Sequence, residues 1–320
     1  MTTYIIRRLF MAVFILFLVS LVVFFAMRLL PGDPLIIFLG QQAGSGTSIT
    51  EKELEVLRHE YGLDKPIMVQ YVNWVSGIFQ GNLGTSIHYH EKVGKLMLER
   101  FPVTLQLGLA AYVIGNLLGI LLGVLAAVRR GTWIDTFVTV MGNIGITIFV
   151  PWLGLLLMYA FGLKLGWLPI AGFTSPFDNF WLSTKQMVMP CICLAITPLS
   201  FVARQTRSSM LEVTKQDYIR TAWSKGLSER FIVFRHMLKN SLIPVITLTG
   251  FAIGGIFGGS VLIESVFNIP GIGRLMVTSI FAQDYVVVQS CTLIFAIIVL
   301  VTNLAVDMSY GWLDPRIRYG

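Results

Sequence analysis

The run FPVTLQLGLAAYVIGNLLGILLGVLAAV at residues 101–128 holds no Asp, Glu, Lys or Arg in 28 consecutive positions, and Arg129 and Arg130 follow at once. As a helix it would measure about 42 Å, more than the roughly 30 Å that a bilayer's hydrocarbon core demands. Within it Ala111, Gly115, Gly119, Gly123 and Ala127 recur every four residues, which lines one stripe of the helix with small side chains. Lipid supplies no hydrophobic drive between helices, so association must come from close packing, and such a stripe lets a second backbone approach. The run is expected to be a membrane span packed tightly against another.

Five further runs read the same way: Leu9–Met27, Thr136–Leu163, Gln186–Ala203, Ser241–Ile263 and Tyr285–Val306. Six spans are therefore expected, in an all-α integral membrane protein. Composition agrees, with 55% of the 320 residues hydrophobic and 13% charged, about half the charged fraction of a soluble domain. Pro190 and Pro198 fall inside the fourth run, which is the shortest, and Pro151 and Pro244 mark irregular points in the third and fifth. Membrane helices tolerate such prolines where neighbours satisfy the freed carbonyls. Arg7 and Arg8 precede the first run as in a signal peptide, but that run exceeds a typical h-region and lacks a small-x-small site before Pro31, so it is read as a retained anchor. Gly254 with Gly258, and Gly255 with Gly259, repeat the small-residue device in the fifth span.

Basic residues in short loops set the orientation. Arg7, Arg8, Arg129, Arg130, Arg204, Arg207, Lys215, Arg220, Lys225, Arg230, Arg235, Lys239, Arg316 and Arg318 lie on one side, against Lys164, Lys185 and Arg274 on the other. Both termini are expected in the cytoplasm. The net charge of +7 is this inside bias and not a nucleic-acid surface, since no basic stretch is built to track phosphates. Cys191, Cys193 and Cys291 lie within spans and read as small buried side chains; a lone C-x-C lacks the other ligands of a zinc site.

By this reading the chain divides into a tail and first span (1–30), an extracytoplasmic helical segment (31–100), a membrane core (101–308) containing a long cytoplasmic loop (204–240), and a tail (309–320). In the outer segment Thr50 and Glu53 form a capping-box pattern ahead of Leu54, Leu57 and Tyr61, and Gly62 and Pro66 end that helix. A second amphipathic stretch, Tyr71, Val72, Trp74, Val75, Ile78 and Phe79, ends at Gly81. Its aromatic residues suit a membrane interface, and the segment is expected to lie flat over the outer ends of the spans. His88 and His90, with Glu91 alone beside them, do not make a metal site.

Transport needs an energy source. Gradient-driven carriers place ionisable groups near the bilayer midplane, whereas Arg28, Glu264 and Asp307 all fall at span ends. There is no G-x-x-x-x-G-K-[ST] phosphate loop, so no ATP site of that kind and no catalytic residue is assigned to this chain. The loop from Arg204 to Asn240 far exceeds the two to eight residues a connector needs. Within it Asp217-Tyr218-Ile219-Arg220-Thr221-Ala222-Trp223-Ser224-Lys225-Gly226-Leu227 reads as a short helix stopped by Gly226, a docking element for a soluble partner. A channel or gradient-driven carrier is the competing class.

This loop resembles the signature of the permease subunits of ATP-binding-cassette importers, in which an Ala precedes a Gly by four residues as Ala222 precedes Gly226. Arg220 stands where the general motif has Glu, and Pro244 lies further from the glycine than usual; both departures look like the dipeptide/oligopeptide branch. Arg7-Arg8-Leu9, Pro31-Gly32-Asp33-Pro34, Tyr61-Gly62-Leu63-Asp64-Lys65-Pro66, Gly81-Asn82-Leu83-Gly84-Thr85-Ser86, the stretch from Glu264 to Gly273 and Leu313-Asp314-Pro315-Arg316-Ile317-Arg318 extend the likeness over the whole chain. The set is similar to the B-type permease subunit of peptide importers. That resemblance implies a type I importer permease fold in a bacterial or archaeal inner membrane. It also implies a heterodimer with a homologous C-type permease, two ATPase subunits that bind the ATP and Mg, and an extracytoplasmic binding protein. Asp217, Tyr218, Arg220, Thr221, Ala222, Lys225, Gly226 and Leu227 would couple to an ATPase. Glu264, Phe267, Pro270, Gly271 and Gly273 would lie at the outer mouth, and Gly115, Gly119, Gly123, Gly254 and Gly258 would pack helices. Small peptides are the expected cargo; nickel, glutathione and oligosaccharide are carried by similar subunits.

Overall fold

Five helices long and apolar enough to cross a membrane, and one bent helix pair that together meets the same test, make up most of the computed structural model, which describes residues 2–29, 55–56, 58–59 and 61–313. The Pro31–Pro34 turn, the Thr50–Glu53 capping pattern and the tail motif beyond Leu313 lie outside the described residues. In chain order the elements are α1 (Thr2–Leu29), α2 (Ile67–Phe79), α3 (Val93–Val128), α4 (Trp133–Thr147), α5 (Val150–Leu157) continued by a π-helical turn (Met158–Lys164), α6 (Phe180–Val213) and α7 (Asp217–Ser224). Next come α8 (Glu229–Phe231), a second π-helical turn (Ile232–Leu238), α9 (Lys239–Val266), α10 (Ile272–Phe281) and α11 (Tyr285–Leu313). The chain forms two compact units, residues 1–104 with 270–298, and residues 105–269 with 299–320.

In the first unit, α1 keeps just 11% of its most apolar window buried, as expected of a helix whose surroundings are lipid. Its residues Ser20 to Arg28 carry α2 on one side. The Ser20 and Tyr71 hydroxyls meet at 2.9 Å, Arg28 Nη2 donates to Gln70 Oε1 at 2.8 Å, and the Phe24 ring packs on Tyr71 and Trp74. The segment after the first span therefore does not simply lie over the span ends; α2 is locked to the flank of α1 by ring packing. A small hairpin follows, with Thr85 bridged to Lys92. It is pinned by Asp284, which is wholly buried. Ser86 Oγ donates to Asp284 Oδ2 at 2.5 Å and His88 N to the same oxygen at 3.1 Å, while Tyr89 N donates to Ser86 Oγ at 2.8 Å. The other oxygen accepts from Val287 N at 3.4 Å, so one carboxylate both caps the start of α11 and fastens residues distant in sequence. Val93, Leu96, Met97, Ile272, Leu275, Val287 and Cys291 pack beside it as this unit's core.

In the second unit α6 is the hub, with 61% of its window buried. It is 34 residues long and keeps Pro190 and Pro198 inside an unbroken helix. The sequence makes the fourth span the shortest and starts the loop at Arg204; instead α6 runs on to Val213, because Thr206, Ser209 and Met210 are still buried beyond the apolar run. The α3 glycines explain how it is held. A Cβ on Gly115 would stand 3.0 Å from the Ala195 carbonyl oxygen, one on Gly119 2.8 Å from that of Leu199, and one on Gly123 2.6 Å from that of Ala203. Both partners advance by four residues in the same sense, so α3 and α6 run parallel here. That direction decides how the third apolar run crosses. Its two halves, Trp133–Thr147 and Val150–Lys164, are bent by 107°, with Ile148 and Phe149 extended and Pro151 in the first turn of α5, where its missing N–H costs nothing. A single crossing between parallel α3 and α6 makes this pair one broken span, and the total six.

On α9 the small residues divide. A Cβ on Gly254 would stand 3.3 Å from the Val299 side chain and one on Gly259 3.5 Å from that of Leu194, but among the described residues one on Gly255 or Gly258 would find nothing within 4 Å. Gly258 is exposed, with room beside it for a side chain.

A Gly123→Val substitution is expected to lower the melting temperature of the purified protein, since overpacking against backbone costs about 1–3 kcal/mol. Gly255→Ala, entering open space in a helix, is expected to leave it unchanged or raise it slightly. Equal melting of the two variants and the wild type would contradict this packing.

Candidate functional site

Helix α7 owes its position to two residues. Ile219 and Ala222, three apart and so on one face, are 1% and 6% exposed and sit among Ala127, Met210, Ile232, Val233 and Met237. Burying the Ile side chain alone is worth roughly 2–3 kcal/mol. The remaining positions point away. Asp217, Tyr218, Arg220, Thr221, Trp223, Ser224 and Lys225 are all exposed, and Leu227 is half-buried against the same core. Asp217 in the first turn favours the helix dipole. The helix ends where Gly226 takes φ +72°, its N–H donating to the Trp223 carbonyl at 3.0 Å; a Cβ there would meet no neighbour, so the demand for glycine is conformational. Asn240 Nδ2, in the first turn of α9, donates to the Tyr218 hydroxyl at 3.0 Å.

Of the eight residues expected to couple here, Ala222 is therefore a positioning residue and not a contact one. Sequence reading passed over Trp223, at 47% exposure, and the nearby chain positions Phe231 and Phe234, at 47% and 65%. The signal was available in the alternation of Ile219 and Ala222 with Tyr218, Arg220, Thr221 and Trp223.

A partly buried ion pair braces the same end of the unit. Arg207 of α6 donates through Nε to Asp135 Oδ1 at 2.5 Å and through Nη2 to Oδ2 at 2.9 Å, the bidentate geometry that charge-assisted bonds favour. Asp135 Oδ2 also accepts from Gly131 N at 3.0 Å, closing the turn between α3 and α4. Arg207 thus belongs to a structural clamp, whereas the sequence counts it among loop cations.

Beside the break between α4 and α5 lies a cavity of about 590 Å³, walled by α6 and α9. Of its lining residues only Cys193, Thr197 and Gln205 have polar side chains, and Gly255 and Gly259 lie on the α9 wall.

The residues expected at an outer mouth are largely buried within this chain. Glu264 and Phe267 are 0% and 1% exposed, and Gly271 and Gly273 are buried; Pro270 is half-buried. Phe267 rests against Gly154, and its carbonyl accepts from Gly172 N at 3.1 Å. In the other unit, Ile272 N donates to Thr104 Oγ1 at 2.8 Å. Of the five residues expected there, Pro270 alone keeps part of its surface. Among the described residues no group of three or more His, Cys, Asp or Glu is placed to hold a metal ion.

Comparison with known proteins gives this geometry a context. The family described as "Binding-protein-dependent transport system inner membrane component" matches residues 119–319, and its N-terminal counterpart matches residues 1–108. The chain is 38% identical to the di/tripeptide transport system permease protein DppB of Pseudomonas aeruginosa (strain UCBPP-PA14), covering 100% of this chain and 99% of that protein. It is 39% identical to the dipeptide transport system permease protein DppB of Lactococcus lactis subsp. cremoris (strain MG1363), covering 99% and 100%. A solved structure of the MetNI methionine ABC transporter in an inward-facing conformation contains a chain with the same fold. The TM-score is 0.56 and the identity 19%, over 68% of this chain and 96% of that one.

Asp135→Ala leaves a partly exposed guanidinium and a turn N–H without their acceptor, and is expected to destabilise the protein by about 1–2 kcal/mol. Asp135→Ala combined with Arg207→Met should recover much of that loss. Thermal unfolding of the two variants checks it; additive losses would mean that the two residues do not act as a pair.

Proposed function

This chain belongs to the family of binding-protein-dependent transport system inner membrane components, and from that premise we propose that it forms half of the translocation path of an ATP-driven importer of small peptides. It is a multi-pass protein of the inner membrane. The basic residues at the α3–α4 turn and around α7 put that end of the second unit in the cytoplasm, with both termini on the same side.

The observation that carries the reading is the construction of α7. A helix of eight residues is too short to be stable alone, yet two buried side chains fix it while Tyr218, Arg220, Thr221, Trp223 and Lys225 remain outside. A loop that merely joins spans has no need of such an anchored, aromatic and basic face. In this proposal the face seats in a partner ATPase, and closure of two ATPases around ATP moves α7 together with α6. A homologous permease completes the pore against α9, where Gly255 and Gly258 are exposed, and an extracytoplasmic binding protein delivers the peptide. The full-length likeness to two peptide permeases favours peptide over other cargo.

Gly226→Val tests the coupling role. Left-handed backbone disfavours a β-branched residue, so the α7 terminus should unravel while the spans stay inserted. In proteoliposomes holding the complete transporter, ATP hydrolysis should persist and uptake of a labelled dipeptide should fall at least about tenfold, the effect of roughly 1.4 kcal/mol on a coupled step. Unchanged uptake would remove α7 from the mechanism. Uptake by this chain alone, without ATP, would defeat the importer reading altogether.

A further inference from the structure

We propose that α2 is a membrane-interface helix whose stripe of Met68, Val72, Val75 and Phe79 is covered by lipid acyl chains. At about 100° per residue these four side chains fall within an arc of about 60°. Met68, Val72 and Phe79 are 67%, 62% and 87% exposed, a large apolar surface for a helix of 13 residues. Asn73, Ser76 and Gln80, also exposed, form a second, polar face roughly 100° round the helix. The third face is Gln70, Tyr71 and Trp74, which is taken up by α1. Such a division into packed, apolar and polar faces is that of a helix lying at a boundary, one side in hydrocarbon and one in water.

Lipid, and not protein, is the occupant because the stripe continues a lipid surface. The α1 flank that holds α2 belongs to a span with little of its surface buried, and Phe10, Phe14, Phe17 and Val22 stand 50% exposed or more. The contact reaches Ser20, nine residues before the end of α1 at Leu29, which is about 14 Å along the helix. Charge supports the placement: between Lys65 and Glu91 there is no Asp, Glu, Lys or Arg. The nearest cation, Arg28, is held at the α2 start by Gln70 and lies over the Phe24 ring at 3.5 Å, where its head can reach the headgroups.

The experiment places an environment-sensitive fluorophore on single new cysteines in the full transporter; the native cysteines are buried, so the wild type sets the labelling background. Met68→Cys, Val72→Cys and Phe79→Cys are compared with Asn73→Cys and Ser76→Cys, in nanodiscs of phosphatidylcholine with plain or brominated acyl chains. The stripe labels should lose about half their emission or more to bromolipid and little to aqueous iodide, as for an apolar face sunk about 5–10 Å into the interface; the Asn73 and Ser76 labels should show the reverse. Iodide quenching of all five positions would place the stripe in water and overturn the proposal. Protection from both quenchers in the transporter, lost when this chain is studied alone, would assign the stripe to a protein partner and overturn it equally.

Discussion

In lipid, helices gain nothing by hiding apolar surface from one another, and the second unit is built around that constraint. What joins α3 to α6 is close backbone approach, at three glycines where a single added carbon would strike a carbonyl oxygen. Dispersion between well-fitted surfaces is the available glue. Because the contact repeats every four residues on both helices, it also fixes their direction. The parallel course of α3 and α6 is what makes the sharply bent α4–α5 pair a single crossing and sets the topology of everything after it.

The functional reading depends on this rigidity. Helix α6 outlasts its apolar run by ten residues, because buried side chains and the Arg207–Asp135 clamp continue the packing past the point where hydrophobicity stops. Helix α7 then rests on α6 through Met210 and on the π-helical turn through Ile232, Val233 and Met237. A short helix borne by such a base is able to transmit force, since a push on its exposed face is not dissipated in a slack loop. Wide π turns often mark functional sites, and one of the two lies directly beneath α7. The first unit uses a different economy: the buried Asp284 carboxylate gathers Ser86, the His88 N–H and the start of α11 into one knot.

Periodicity made much of this legible beforehand. The four-residue stripe of Gly115, Gly119 and Gly123 and the stop at Gly226 are local patterns that the sequence displays; the alternation around Ile219 and Ala222 is equally local but becomes telling only with the helix in place. Long-range polar pairs carry no such signal. Ser86 and Asp284 are 198 positions apart, and neither looks unusual in its own neighbourhood; Asp135 and Arg207 are 72 apart, and Arg207 reads as one more loop cation. The burial of Glu264 and Phe267 is equally silent in the sequence. A charge and an aromatic ring at the end of a span look like surface, but tertiary packing buries both. The prolines behave as their surroundings allow: Pro190 and Pro198 sit in an unbroken helix, while the third run breaks at Ile148 and Phe149, just ahead of Pro151.

The central claim is that α7 has two faces with two duties, one fastened to this chain and one free to engage a motor. A photo-crosslinking amino acid introduced in turn at each position from Asp217 to Lys225, in the fully assembled transporter, reads those faces directly. The account predicts adducts with a nucleotide-hydrolysing subunit from Tyr218, Arg220, Thr221, Trp223 and Lys225, and none from Ile219 or Ala222. Adducts at every position alike, or at none of them, would contradict it.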